Sequence, residues 1–110
     1  MDEYEVRITR HAREHLREIR RYIECKLQSP LAAKNTLLAI RNKIQSLARM
    51  PGRVHLTPEQ PWHDSGVRRD RVNNYYLYFW IDEDNKMVQV IGVIYVRREQ
   101  SKQLEQLDME

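Results

Sequence analysis

Along residues 3–9 polar and apolar positions alternate, with Tyr4, Val6 and Ile8 falling on one side. A period of two predicts a half-buried strand. After Thr9 the period changes: Ala12, Leu16, Ile19, Ile23 and Leu27 recur at steps of four and three. That is one apolar stripe along a helix, and Thr9 is placed to cap its N-terminus. Ser29 and Pro30 then end this helix and begin another, because serine caps well and proline at the first helical position lacks only an N–H that would have had no partner. The second helix is expected to run to about Met50, with Ala33, Leu37, Ile40, Ile44 and Leu47 as its stripe, and to stop at Pro51-Gly52. A link this short makes the pair an antiparallel hairpin.

No period survives in residues 53–66, which hold Pro58, Pro61 and Gly66; this reads as a long loop, and ordered loops of such length often serve function. Residues 67–72, 75–81 and 87–96 are strand-like runs of Val, Ile and Tyr, the last two joined by the polar turn at Asp82, Glu83, Asp84 and Asn85. The second run is apolar on both sides (Tyr75, Tyr76, Tyr78, Phe79, Trp80), which marks packing rather than a platform for stacked bases. In the charged tail, residues 97–110, Leu104 and Leu107 stand at helical spacing and predict a short terminal helix. A β-α-α-β-β-β order can bury its helical stripes only on one face of the sheet. The expected fold is therefore a two-layer α+β domain spanning 1–110, with a mainly antiparallel curled sheet.

Composition narrows the class. With 41% hydrophobic and 32% charged residues the chain is neither disordered nor fibrous. Nineteen Lys and Arg against sixteen Asp and Glu leave a charge of +3, compatible with a polyanionic partner without requiring one. One cysteine, Cys25, permits no internal disulfide, and no apolar run approaches the ~20 residues of a membrane span; the reading is a cytoplasmic protein with no membrane contact. His11 and His15 have the i, i+4 spacing of metal ligands, but Ala12 stands where a zinc-protease motif carries glutamate, and no third ligand is evident. No metal or cofactor is expected.

Four stretches, in order, resemble one family. Thr9, Ala12, Leu16 and Ile19 are similar to the opening helix of the RelE/ParE superfamily of bacterial toxins. Leu47 with Met50-Pro51 is similar to the end of its second helix. Residues 66–81, with Arg68, Asn74, Tyr75 and Tyr78, resemble its central strands. Residues 90–99, ending in Arg97-Arg98-Glu99, resemble its last strand. The resemblance implies the toxin half of a type II toxin–antitoxin pair, held silent by a cognate acidic antitoxin, with operator DNA bound only through that complex. Members divide by target: the RelE-like branch cuts messenger RNA on the ribosome, whereas the ParE-like branch poisons DNA gyrase.

Metal-free RNA cleavage needs a base for the 2′-OH, cations for the phosphorane and an acid for the leaving oxygen. By alternation Arg69, Arg71 and Asn73 share one face, and Tyr95 and Arg97 share a face of the last strand; if these faces meet, a basic cleft results. The resemblance assigns Arg71 and Arg97 to the phosphate. Tyr95 stands where many relatives carry histidine, and a phenol ionising near ~10 is a poor base at neutral pH unless cations favour its anion. The tyrosine that the RelE-like branch carries on its terminal helix is also missing. His63, in the long loop, is the substitute base. The catalytic expectation is thus Arg71, Arg97, Tyr95 and His63, with Arg68, Arg69, Arg98 and Lys102 on RNA, in a ribosome-dependent endonuclease. The missing histidine and tyrosine keep open the gyrase-binding alternative and a non-toxic, partner-binding relative. The bland reading is a solvated basic edge that resists aggregation. On helix one, Arg10, Arg13, Arg17, Arg20 and Arg21 are expected to be partly compensated by Glu14, Glu18 and Glu24.

Overall fold

The computed structural model describes residues 3–26 and 28–97; Leu27, the expected terminal helix around Leu104 and Leu107, Arg98 and Lys102 lie outside the described residues. Strand β1 is Glu5–Ile8, α1 Arg10–Cys25 and α2 Pro30–Ser46. A 3-10 turn η1 at Pro51–Arg53 precedes the loop, followed by β2 Arg68–Val72, β3 Tyr75–Asp82 and β4 Met87–Tyr95. The two helices start where their caps dictate. Thr9 accepts from the Ala12 N–H and Ser29 from the Ala32 N–H, each at 3.3 Å, satisfying donors that have no partner inside the helix.

Helix α2 ends four residues before the expected Met50. Its periodic stripe does continue to Leu47, which is fully buried, but the backbone beyond is claimed by another element: Tyr4 donates to the Ala48 carbonyl at 2.8 Å, and Glu3 bridges Arg49. Met50 then adopts a left-handed conformation, φ 48°, and Pro51 forbids a return to the helix.

The sheet order is β1-β4-β3-β2, with β1 parallel to β4 and both other pairs antiparallel. Asn73 at φ 52° turns β2 into β3. Between β3 and β4, Asp82 accepts from the backbone N–H and side-chain amide of Asn85, and Lys86 at φ 50° closes the loop. The α1 and α2 stripes pack on the inner face: Ala12, Ile19, Ile23, Ala33, Ile40 and Ile44 meet Val72, Leu77, Phe79, Val88, Val90 and Val93.

A β-bulge between Tyr78 and Phe79 pairs Tyr78 with Gly92 but Phe79 with Val90. Ile91 is thereby the extra residue of β4 and turns outward, beside Tyr78 and Ile94. The doubly apolar β3 is explained by this second cluster. Val67, Tyr78, Ile91 and Ile94 are buried on the outer face under Trp62, which the long loop carries across. The loop also shields the β2 edge: the N–H of Thr57 donates to Val67 O and that of Arg69 to His55 O, occupying donors and acceptors that an open edge would expose.

Candidate functional site

The register assigns each candidate side chain to a face. Arg71 is opposite Tyr76, and Tyr76 is opposite Ile94, so Arg71 stands on the outer face. Arg69 is opposite Tyr78, on the same face. Tyr95 is opposite Tyr75, which in turn is opposite Val72 of the inner core; Tyr95 therefore stands on the helix side. The expected meeting of the Arg69/Arg71 face with the Tyr95 face does not occur. Directly paired residues share a face and neighbours alternate, and the pairing Arg71 to Tyr76 to Ile94 stops one residue short of Tyr95, which therefore faces the other way. Asn73, grouped with Arg69 and Arg71 by alternation, has left the strand for the turn. Arg97 lies two residues beyond β4 and is exposed.

On the outer face, Arg69 is held tightly. Its guanidinium donates to Glu59 at 3.1 Å and lies 4.2 Å from the centroid of the Tyr76 ring, a cation–π contact on top of an ion pair. Glu59 also accepts from the Thr57 hydroxyl at 2.7 Å. Burial pushes the Tyr78 phenol up to about 12, against the hydrogen bond and charge of Arg69, which favour the anion. At neutral pH this tyrosine is a neutral packing group. Arg71 is exposed, and its Nε donates to the carbonyl of Asn73 at 3.1 Å.

Arg68 points the other way. Paired with Phe79, it reaches the start of the loop and donates to the Val54 and Gly52 carbonyls, clamping the chain rather than presenting a charge beside Arg69 and Arg71. Its inner-face neighbour Asp70 lies 3.8 Å from Lys43 and ties β2 to α2.

Two histidines near these surfaces, His63 and His15, have opposite proton placements. His63 Nδ1 is 3.0 Å from the Thr57 carbonyl. A carbonyl only accepts, so the neutral ring carries its proton on Nδ1 and keeps Nε2 as an acceptor. His15 Nδ1 instead accepts from the Val93 N–H at 3.1 Å, which puts the neutral ring's proton on Nε2. His15 joins Tyr75 and Tyr95, whose rings meet edge to face at 5.7 Å, in lining an inner-face groove of ≈ 680 Å³ together with Glu18, Tyr22 and Asn73. The sequence raises His15 only as a candidate metal ligand and does not mark Glu59 at all. His15 acts through Val93, 78 residues on, and Glu59 through Arg69 across the loop, and no local spacing announces either contact.

Among the described residues no group of three or more His, Cys, Asp or Glu side chains is arranged to hold a metal, and no described helix is long and apolar enough to cross a membrane. Cys25 is exposed.

No curated protein sequence matches the chain. Among solved structures, a chain of the chromosomal ParDE toxin–antitoxin system from P. aeruginosa superposes with a TM-score of 0.70 at 20% identity, covering 86% of this chain and 97% of that one. A chain of the toxin–antitoxin complex RelBE2 from Mycobacterium tuberculosis does so with a TM-score of 0.65 at 25% identity, covering 86% and 93%. At such identities the first likeness is one of fold, and it agrees with the two helices laid on a four-stranded mixed sheet. The family model for the ParE toxin of the type II toxin–antitoxin system parDE matches residues 6–100, so that the chain belongs to this family, within the RelE/ParE superfamily of type II toxins.

Proposed function

We propose that this toxin acts by binding DNA gyrase, without itself catalysing a reaction, and that a cognate acidic antitoxin neutralises it. The observation that carries this reading is the register: Arg71 and Tyr95 are on opposite faces of the sheet, so the described residues do not bring the expected arginine and phenol to one phosphate. A cleavage site needs cation, base and acid within hydrogen-bond reach of the same group. A binding surface has no such requirement, and the exposed Arg71 beside Tyr76 suits one, arginine and tyrosine being the side chains that most often anchor protein interfaces. The match to a ParE family model favours the same branch. The toxin–antitoxin neighbours support a protein antitoxin as the partner, with operator DNA reached through that complex alone.

A second reading stays with the outer face. His63, with Nδ1 bound to Thr57 O, offers an acceptor at Nε2, and with the outer-face Arg69 and Arg71 it supports a ribosome-dependent messenger RNA endonuclease to which the exposed Arg97, and Arg98 and Lys102, would add cations for RNA. One pair of assays separates the two. Purified toxin is added to a gyrase supercoiling reaction and, in parallel, to a translating extract whose messenger RNA ends are mapped by primer extension. Blocked supercoiling with intact messages is the expected result. Ribosome-dependent cleavage with unaffected gyrase, lost on replacing Arg71 and Arg97 by Ala, would overturn it.

A further inference from the structure

The chain holds 19 Lys and Arg side chains, yet among the described residues none of them lines the inner-face groove of ≈ 680 Å³. The carboxylate in that lining is Glu18, and among the described residues no Lys or Arg pairs with it. Tyr22 follows Glu18 by one helical turn on the same face of α1 and is 54% exposed. Tyr75 and Tyr95 line the sheet side. Their rings meet at 5.7 Å and 64°, so that the edge of one ring is turned to the face of the other and both faces of the edge-on ring lie outside that contact. The face of a phenol ring is the negative end of its quadrupole. His15 adds no positive charge, because its Nδ1 accepts from the Val93 N–H and only a neutral imidazole has a lone pair to accept with. Within a basic protein, this groove gathers negative potential.

We propose that this groove binds a small organic ammonium ion, its cationic head held between the Glu18 carboxylate and the rings of Tyr22, Tyr75 and Tyr95. Carboxylate and ring faces both attract a cation, and an anion would find no Lys or Arg to meet it. A neutral apolar ligand would use the rings but draw nothing from Glu18. Ile19, Ile23 and Val93 also line the groove, which fits an apolar body attached to the head. An alkylated nitrogen suits such walls better than a bare ammonium, since it has fewer N–H donors to strip of water. The volume lies within the ~300–1,000 Å³ of small-molecule sites, so the ligand is a free small molecule rather than a protein surface. The inference stands apart from gyrase as the target: the groove lies between α1 and the inner side of the sheet and shares neither Arg71 nor Tyr76 with the outer face.

The test titrates the full chain, 15N-labelled, with benzyltrimethylammonium, with choline, and with the neutral isostere of choline in which carbon replaces the nitrogen. Benzyltrimethylammonium is expected to bind more tightly than choline, choline roughly tenfold more tightly than its isostere, and the amide resonances of Tyr22, Asn73 and Asn74 to move. Tyr22→Leu should weaken binding by roughly two- to fivefold and Tyr22→Phe should preserve it, because the ring face and not the hydroxyl holds the cation. Glu18→Gln should weaken it by roughly two- to fivefold and more so at low salt, whereas Glu14→Gln, outside the groove, should leave it unchanged. Thermal melting of each variant separates lost binding from lost folding. A peptide bearing one trimethyllysine distinguishes the source of the ammonium: weaker binding than benzyltrimethylammonium supports a free small molecule, and tighter binding overturns it in favour of a partner's side chain. Equal binding of choline and its isostere, shifts confined to other surfaces, or full affinity in both Tyr22→Leu and Glu18→Gln would each overturn the proposal. The gyrase assay reads none of these outcomes, so the two proposals fail separately.

Discussion

Arg69 and Arg71 are two residues apart on one face of one strand, yet their environments predict opposite consequences of truncation. Arg69 and its partner Glu59 each retain 23% of their side-chain exposure. Removing one member of a fully buried pair costs about 3–5 kcal/mol and of an exposed pair about 0–1 kcal/mol; at this partial burial Arg69→Ala should forfeit about 2 kcal/mol from the ion pair. Losing the contact with Tyr76 adds about 0.5–1 kcal/mol, for a total of about 2–3 kcal/mol. At ~4–8 °C per kcal/mol for a domain near this size, the melting temperature should fall by about 10–20 °C. Arg71→Ala removes an exposed side chain with one bond to a turn carbonyl and should stay within about 0.5 kcal/mol of the wild type. Urea denaturation of both variants, together with Glu59→Gln and the Glu59→Gln/Arg69→Ala double variant, yields a coupling energy expected at about 1 kcal/mol or more. If Arg69→Ala is no more damaging than Arg71→Ala, or the coupling vanishes, the loop is not latched to the sheet by this pair, and the distinction drawn between a structural and a surface arginine is wrong.

Two further predictions follow from single groups. Thr9→Ala should destabilise the fold by about 1 kcal/mol in urea denaturation by leaving the Ala12 N–H without its cap, and Thr9→Ser should restore most of the loss; equal stability of all three would dismiss the cap. The Tyr78 phenol, raised by burial to about 12 in the folded state against about 10 in the unfolded chain, holds its proton more tightly when folded. Its contribution is therefore fully present below pH ~10 and is lost as pH rises from ~10 through ~12. Ultraviolet titration should show one tyrosine ionising late, and Tyr78→Phe should remove that component and flatten the alkaline loss of stability; a Tyr78 that titrates with the exposed tyrosines would refute its burial.

The outer face shows how one insertion in register converts a sequence pattern into architecture. An apolar strand with no solvent face must be covered twice. Here the helices cover Leu77 and Phe79, while Trp62 and its loop cover Tyr78, Ile91 and Ile94. The loop was legible only as aperiodic, because its anchors are two hydrogen bonds to the β2 edge, an ion pair to Arg69 and the Arg68 clamp. Each of these joins residues that sequence proximity does not associate. Gly66, at φ 86°, is the one loop position where a backbone conformation closed to most residues turns the chain back into β2.

Local chemistry settled much of this protein before folding: both helices with their caps at Thr9 and Ser29, the stripes that became the inner core, and the three later strands with the polar turn between the last two. These follow from period, propensity and capping, whose physics acts within about one helical turn or one pair of strands. The tertiary structure decided what depends on distant partners. It ended α2 at Ser46, because Arg49 leaves the helix to bridge with Glu3; it inserted the bulge at Ile91; and it sent Arg71 and Tyr95 to opposite surfaces. Side-chain alternation within a strand can be read from the chain, but which residue of one strand stands against which residue of the next is set by the packing of the whole sheet, and that register determines which side chains can act together.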